Sequence, residues 1–255
     1  MTTPTRSLFL LGGYDLEMLT VKQMLKGRAG CVVADKHLQW DNALLSAYKE
    51  ELSQGGYEEV YGIELREDIP APDNYHRIDH HNDWADRPSS LEQVAELLGV
   101  TPDRRQLLVA ANDRGYIPAM KAMGASPEEI DDIRRRDRAA QGVTKEDELL
   151  AERAIKENLQ TFGGIIVVKA FPSCFSPICD RLYPYRRLLI YNDSEWVFYG
   201  EGKADLTEEF AAEISAGRMY HGGGPTEYIG AARGAFSVQE ILNIVTLITQ
   251  RYEHL

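Results

Sequence analysis

The feature that most constrains this chain is an alternation of short apolar runs with helical stretches along its first half. Leu8–Leu11, Cys31–Ala34 and Val60–Leu65 are strand-sized apolar runs, and Asn74–Asp79 approaches a fourth. Between them, Leu16–Leu25 carries Leu16, Leu19, Met24 and Leu25 at helical spacing, and Ala43–Leu52 is a helical stretch that ends before Gly55-Gly56. Ser89 or Ser90 is placed to cap a helix over Leu91–Leu98, with Glu92 and Gln93 in its first turn. Gln106–Ala111 reads as a fifth strand. A short apolar run bounded by turn residues has the pattern of a strand buried on both faces. Strands separated by helices in this way predict an α/β fold with a mostly parallel sheet, because each parallel pair needs a crossover.

The composition shifts after Gly124, which closes a first domain over 1–124. Ser126–Gln141 and Thr144–Phe162 are charged and helical with a break near Gly142, so 125–162 reads as connecting helices. Ser126-Pro127-Glu128-Glu129 sets a cap, a proline at the first helical position and early acids in order. The triplet Arg134–Arg136 is flanked by Asp131, Asp132 and Asp137, the pattern of a solvated helix face. From Gly163-Gly164 onward, 163–255 reads as a second, smaller α+β domain. Its strands are Ile165–Ala170, Arg187–Asn192 and Glu195–Tyr199, the last two joined by the hairpin signal Asn192-Asp193-Ser194. Leu206–Ala216 and Val238–Tyr252 are amphipathic helices.

Charge narrows the partners. Among 255 residues, 28 Lys and Arg stand against 40 Asp and Glu, a net charge of −12. That field opposes a footprint on long nucleic acid, which needs a basic face. It leaves room for a small anionic ligand in a local basic pocket, and surplus carboxylates suit divalent cations. No apolar run approaches the roughly 20 residues that span a bilayer. The N-terminus lacks the apolar stretch and cleavage site of a signal peptide. The expected location is the cytoplasm, with no membrane partner; a homodimer is compatible with these features. Cys31, Cys174 and Cys179 form neither a disulfide framework nor a zinc knuckle.

In open α/β folds the strand ends converge on one rim. Four expected strand ends here carry ligand-type residues. Asp15-x-Glu17 follows the first, Asp35 ends the second, Asp79-His80-His81-Asn82-Asp83 follows the fourth, and Asn112-Asp113 follows the fifth. One aspartate after a strand is commonly a helix cap. Four such ends with paired histidines point instead to divalent ions. Two ions about 3.5–4 Å apart need bridging and terminal carboxylates, and imidazoles add neutral ligands. Such a pair clamps the oxygens of an in-line phosphoryl displacement. A mixed Asp/His shell suits Mn²⁺ better than a thiolate-seeking ion.

These elements together resemble the DHH phosphoesterase superfamily. Ile78-Asp79-His80-His81-Asn82 is similar to its signature triplet, and Ser90–Gly99 resembles the helix that follows it. Asp15 and Glu17 stand where the family has its first aspartate pair, Asp35 where it has its second motif, and Asp113 where it has its fourth. His221-Gly222-Gly223-Gly224 followed by Gly230–Gly234 resembles the glycine-rich substrate loop of the family's C-terminal domain. The resemblance implies Asp15, Glu17, Asp35, His80 and Asp113 as ligands of one or two Mn²⁺ or Mg²⁺ ions, with Asp35 bridging. It implies Asp79 fixing an imidazole and His81 facing the substrate. It implies His221, Gly222, Gly223, Gly224 and Arg233 at the substrate's anionic group, with Arg114 a second cationic candidate. The implied activity is metal-dependent hydrolysis of a phosphoester or phosphoanhydride bond in a small phosphorylated compound or a short or cyclic nucleotide. Two departures stand out. Leu11 occupies the position of the family's opening histidine, and Glu17 is one methylene longer than the usual aspartate. His37 is the nearest imidazole that could compensate. The departures favour one well-kept ion site over two, and they keep open a different reading, a DHH-like ligand-binding or regulatory protein without turnover.

Overall fold

The computed structural model describes residues 6–222 and 227–253. The chain forms two compact units, Met1–Gly142 and Val143–Leu255. The helical stretch 125–162 is divided between them.

The first unit is built on four parallel strands: β1 (Ser7–Leu11), β2 (Cys31–Asp35), β3 (Glu59–Ile63) and β4 (Tyr75–Ile78), in the order β2-β1-β3-β4. Leu8, Phe9, Leu10 and Leu11 are all buried, as the central strand of a two-sided parallel sheet requires. The register aligns the strand ends. Leu11 pairs with Asp35 on one side and Ile63 on the other, and Ile63 pairs with Ile78. Helix α1 (Leu16–Leu25) spans the predicted residues, with Asp15 as its N-cap. Leu45 and Tyr48, fully buried against Leu8, Leu10 and Val60, anchor the short helical segment that precedes α2 (Lys49–Gln54). Full burial of such side chains is worth about 1.5–3 kcal/mol each.

α3 (Ser90–Leu97) starts from a capping box in which Ser89, not Ser90, is the cap and Glu92 closes the reciprocal bond. The expected fifth strand is not one. Gln106–Ala111 lies inside α4 (Arg104–Ala122), a helix started by an Asp103/Gln106 capping box. The run Leu107–Ala111 has no polar face to reveal a helical period, because Leu108, Val109 and Ala110 are all buried. Short apolar runs of this kind do not separate strand from buried helix. α5 (Pro127–Ala140) begins at Ser126 as expected.

The second unit holds a six-stranded mixed sheet. Helix α6 (Lys145–Asn158) ends earlier than its charged pattern suggests, and Leu159–Phe162 forms β5, antiparallel to β6 (Ile165–Lys169). Gly163, at φ +50°, makes the turn between them. α7 (Ser176–Leu182) leads to β7 (Arg187–Tyr191) and β8 (Trp196–Gly200), the expected antiparallel hairpin. Its turn is held by Asn192 Oδ1, which accepts from the backbone N–H of Ser194 at 2.8 Å and of Glu195 at 3.0 Å. The predicted helix Leu206–Ala216 is two short ones, α8 (Lys203–Glu209) and α9 (Ala211–Ser215). β9 (Met219–Gly222) and β10 (Tyr228–Ala231) complete the order β5-β6-β7-β8-β10-β9, and α10 (Val238–Tyr252) closes the described chain. Trp196, Phe198, Ile229, Ile241 and Ile248 pack on one face of the sheet; Val168, Leu188, Ile190 and Ile178 pack on the other. Among the described residues no helix is long and apolar enough to cross a membrane.

Candidate metal centre

The aligned strand ends of the first unit deliver the acids. After β1 the chain turns at Gly12, whose N–H donates to the Ile63 carbonyl at 2.7 Å. A Cβ at Gly12 would sit 2.3 Å from the Glu64 carbonyl oxygen, so only glycine lets the turn press this closely on β3. The next acid, Asp15, is buried and caps α1, accepting from the Met18 N–H at 2.8 Å. Glu17, in the first turn of α1, is also buried; its Oε1 accepts from the Leu91 N–H at 3.2 Å, tying α1 to the start of α3.

Glu64 follows β3 and is an acid that sequence reasoning missed. It adopts φ +54°, left-handed backbone that a glutamate rarely takes, while its N–H donates to the Ile78 carbonyl at 2.8 Å. The twist leaves its carboxylate buried with both oxygens lacking a hydrogen-bond partner. The signal was present as a lone acid within the apolar stretch Ile63-Glu64-Leu65, but it was absorbed into the expected strand Val60–Leu65.

His80 is the hub. Its buried Nε2 lies 2.8 Å from Asp113 Oδ2, 3.3 Å from Glu17 Oε2 and 3.5 Å from Glu64 Oε1. None of these contacts is aligned as a hydrogen bond: His80 Nε2, Glu17 Oε2, both Glu64 oxygens and Asp113 Oδ2 are all buried without such a partner. Glu64, His80, His81 and Asp113 offer ligand atoms that lie within 4.8 Å of one another. His81 forms the open side, with its side chain 37% exposed and its Nε2 3.7 Å from Asp113 Oδ2. Asp79 stands behind it; its Oδ1 accepts the His81 backbone N–H at 2.9 Å and lies 3.4 Å from His81 Nδ1. Against its burial, these His81 hydrogen bonds hold the Asp79 carboxyl below the ordinary range.

Asp113 does not follow a strand. It sits inside α4 just before a break at Gly115 and Tyr116, and the break lets a mid-helix carboxylate reach His80. Burial, then the negative charge of neighbouring acids, pushes Asp15, Glu64 and Asp113 up; for Asp15 the main neighbour is Asp113, and for Glu64 and Asp113 it is Glu17. His80 is raised too, but for the opposite reason. Burial alone would lower it, but Asp113, Glu17 and Glu64 drive it to about 12. Several carboxylates around one imidazole, with convergent unpartnered atoms, form a site that calls for a cation. The mixed carboxylate and imidazole donors fit a hard or borderline divalent ion.

Of the other expected site residues, several have partners of their own. Asp35 ends β2 but pairs with Lys22 Nζ at 2.8 Å and accepts the His37 N–H at 2.9 Å. Against its burial, Lys22 and His37 hold it below the ordinary range. His37 Nδ1 lies 3.6 Å from Asp35 and its ring stands edge-on to Tyr14. Arg114 is exposed, 4.0 Å from Glu92. In the second unit, Arg233 is 66% exposed and reaches Glu195 Oε1 through Nε at 3.1 Å and Nη2 at 2.7 Å. His221 is exposed on β9. Gly222 faces Tyr228, whose hydroxyl would lie 2.1 Å from an added Cβ. Gly223 and Gly224 lie outside the described residues. The Arg134–Arg136 triplet is only partly a solvated face: Arg135 and Arg136 pair with Asp132, while Arg134 is 11% exposed and turned inward.

No family model matches the sequence, and no curated protein matches it significantly. Solved structures do match. The pGpG-specific phosphodiesterase PggH from Vibrio cholerae aligns over 98% of this chain and 99% of its own, at 11% identity and a TM-score of 0.51. The DHH domain of a member of a family of ribosomal proteins aligns over 98% of this chain and 87% of its own, at 13% identity and a TM-score of 0.56. The chain has the DHH fold. A third match is RecJ of Thermus thermophilus in complex with Mn²⁺, at 12% identity and a TM-score of 0.48; this chain spans about half of RecJ, 52%. Within the DHH fold, the triplet Asp79-His80-His81 follows β4, the outer strand beside β3. That position explains why one histidine is enclosed by acids while the next faces outward.

Proposed function

We propose that this chain is a metal-dependent phosphoesterase. The observation that carries the reading is the set of buried, unpartnered ligand atoms on Glu17, Glu64, His80 and Asp113, converging below the half-exposed His81. Glu64, His80 and Asp113 would hold a divalent ion, Mn²⁺ or Mg²⁺, with Glu17 alongside. Such an ion supplies Lewis-acid polarisation of a phosphoryl oxygen and a water of lowered pKa. The chain's own groups do the rest. Asp79 fixes the His81 ring, and the exposed edge of that imidazole is placed to donate to substrate. His221, Gly222–Gly224 and Arg233 are the groups assigned to the substrate's anionic part, with Arg114 a further cation. The substrate class is a small phosphorylated compound or a short or cyclic nucleotide, cleaved in the cytoplasm. A long strand does not suit a net charge of −12.

One observation favours a second reading, a ligand-binding protein without turnover: Leu11 lies in register with Asp35, and Lys22 already neutralises that carboxylate. The same experiment separates the two. A panel of pyrophosphate, nucleotide monophosphates, dinucleotides and cyclic dinucleotides is assayed with Mn²⁺, Mg²⁺ or chelator. Metal-dependent release of phosphate or nucleotide supports the enzyme. Mn²⁺ binding with no hydrolysis of any member supports the binding protein.

A further inference from the structure

Asp113 reaches His80 only because α4 is broken, and the break needs a reason to persist. Tyr116 sits at φ +57° and ψ −149°, a region that essentially only glycine occupies freely. Pro118, which has no N–H to give, starts the helix again. Left to itself, a tyrosine in this conformation would relax and carry Asp113 with it.

The neighbouring helix supplies the restraint. Arg134 on α5 is nearly enclosed, and its guanidinium lies 4.5 Å from the centre of the Tyr116 ring. Its Nη1 donates to Asn112 Oδ1 at 2.9 Å and to Asp137 Oδ2 at 2.8 Å. Asn112 is buried and adjacent to Asp113. Arg134 therefore grips α4 on both sides of the ligand, at the residue before it and at the strained residue after the bend. Asp137 carries the grip to another part of the site. Its Oδ1 accepts the Leu16 N–H at 3.2 Å, in the first turn of α1 between Asp15 and Glu17. Gln141 adds a donor to Asp137 Oδ2 at 3.2 Å. One buried ion pair on α5 thus spans the two segments whose acids meet at His80.

We infer that Arg134 and Asp137 are positioning residues for the metal centre: they hold the break in α4 and the start of α1 so that Asp113 and Glu17 converge on His80. Neither is among the residues that offer ligand atoms. The inference rests on the proposed metal centre. Outer partners that orient ligands typically govern 10–100-fold in metal affinity.

The test uses the full chain with Mn²⁺ alone as the probe, followed by calorimetry and electron paramagnetic resonance. Hydrogen exchange of the α4 amides is read in chelator. Arg134→Met is expected to weaken Mn²⁺ binding ~10–100-fold and to speed exchange around residues 112–118. Arg134→Lys keeps the charge and a donor but loses the planar fork, so it reads the same loss, smaller, should the Met variant fail to fold. Arg135→Met, on the same helix but paired outward with Asp132, is expected to leave affinity and exchange at wild-type values. Adding Tyr116→Gly to Arg134→Met makes the bend free of strain and is expected to recover part of the affinity, which a general loss of stability would not allow. Wild-type affinity and unchanged exchange in both Arg134 variants overturn the clamp alone. No Mn²⁺ binding by the wild-type protein overturns the metal centre itself, and the positioning role with it.

Discussion

Replacing Glu64 by glutamine is expected to make the metal-free protein more stable and the metal-loaded protein weaker. Glu64 is buried, both its oxygens lack a hydrogen-bond partner, and its carboxyl is pushed up by burial and by Glu17, Asp113 and Asp15. Glutamine keeps the shape, removes the charge and brings an amide that can donate to Glu17 or Asp113. Hydrogen bonds to charged groups are worth ~1.5–3 kcal/mol, and part is lost to imperfect geometry, so a gain of about 1–2 kcal/mol is reasonable. For a protein of this size ~1 kcal/mol moves Tm by roughly 2–4 °C, which places the variant a few degrees above wild type in chelator. Metal reverses the order. At free Mn²⁺ of ~100 times Kd the wild-type protein gains ~2.7 kcal/mol. A variant whose affinity has fallen ~100-fold gains only about 0.4 kcal/mol at the same concentration. Differential scanning calorimetry in chelator and in Mn²⁺ reads both halves. A variant less stable than wild type in chelator, with an undiminished Mn²⁺ shift, would refute the reasoning, because it would make Glu64 a packing residue.

Asp15, Glu64 and Asp113 have folded pKa values above their unfolded ones. Metal-free stability is therefore full below the ordinary carboxylate range and falls as pH rises through the raised values, whereas Mn²⁺ binding displaces those protons. The Mn²⁺-induced Tm shift should grow as pH rises above the ordinary carboxylate range; a shift that shrinks would contradict the assignment. Calorimetric stoichiometry should give one tightly bound Mn²⁺ per wild-type chain, with Lys22→Ala, which releases Asp35, adding a weaker second ion; two equally tight ions in the wild-type protein would show that the Lys22–Asp35 pair yields to metal. Arg233→Ala should raise KM on the true substrate while Mn²⁺ affinity stays unchanged, and unaltered kinetics would move the anchor to Arg114. Tyr48→Phe removes the hydroxyl that donates to the Leu11 carbonyl at 2.5 Å and should cost ~1–3 kcal/mol through the unpartnered carbonyl, read as a lowered urea midpoint; an unchanged midpoint would show that the carbonyl finds another donor.

Much of the fold was legible because the signals are local. α1 and α10 follow from apolar spacing, and the structure adds their caps, Asp15 and Ser237. β1 to β4 follow from apolar runs. His80 was legible from its place in a five-residue signature. Three things were not. Glu64 was hidden by the strand that leads into it, since its role depends on a left-handed twist that no apolar pattern encodes. Asp113 was identified as a candidate but assigned to a strand end, because the break that aims it is held by Arg134, a residue on another helix. Asp35 stands at its expected strand end, yet its partner Lys22 comes from α1, a neighbour that only the folded register supplies.

His80 and the three acids that meet at it also come from stretches of chain far apart in sequence: the start of α1, the turn after β3, the segment after β4 and the middle of α4. A cation gripping all four would behave as a reversible cross-link, closing loops that an unfolding chain must reopen. Joining distant points removes the most freedom from the unfolded ensemble. Such an ion would then act on lifetime as well as chemistry, with Met1–Gly142 escaping proteolysis when loaded.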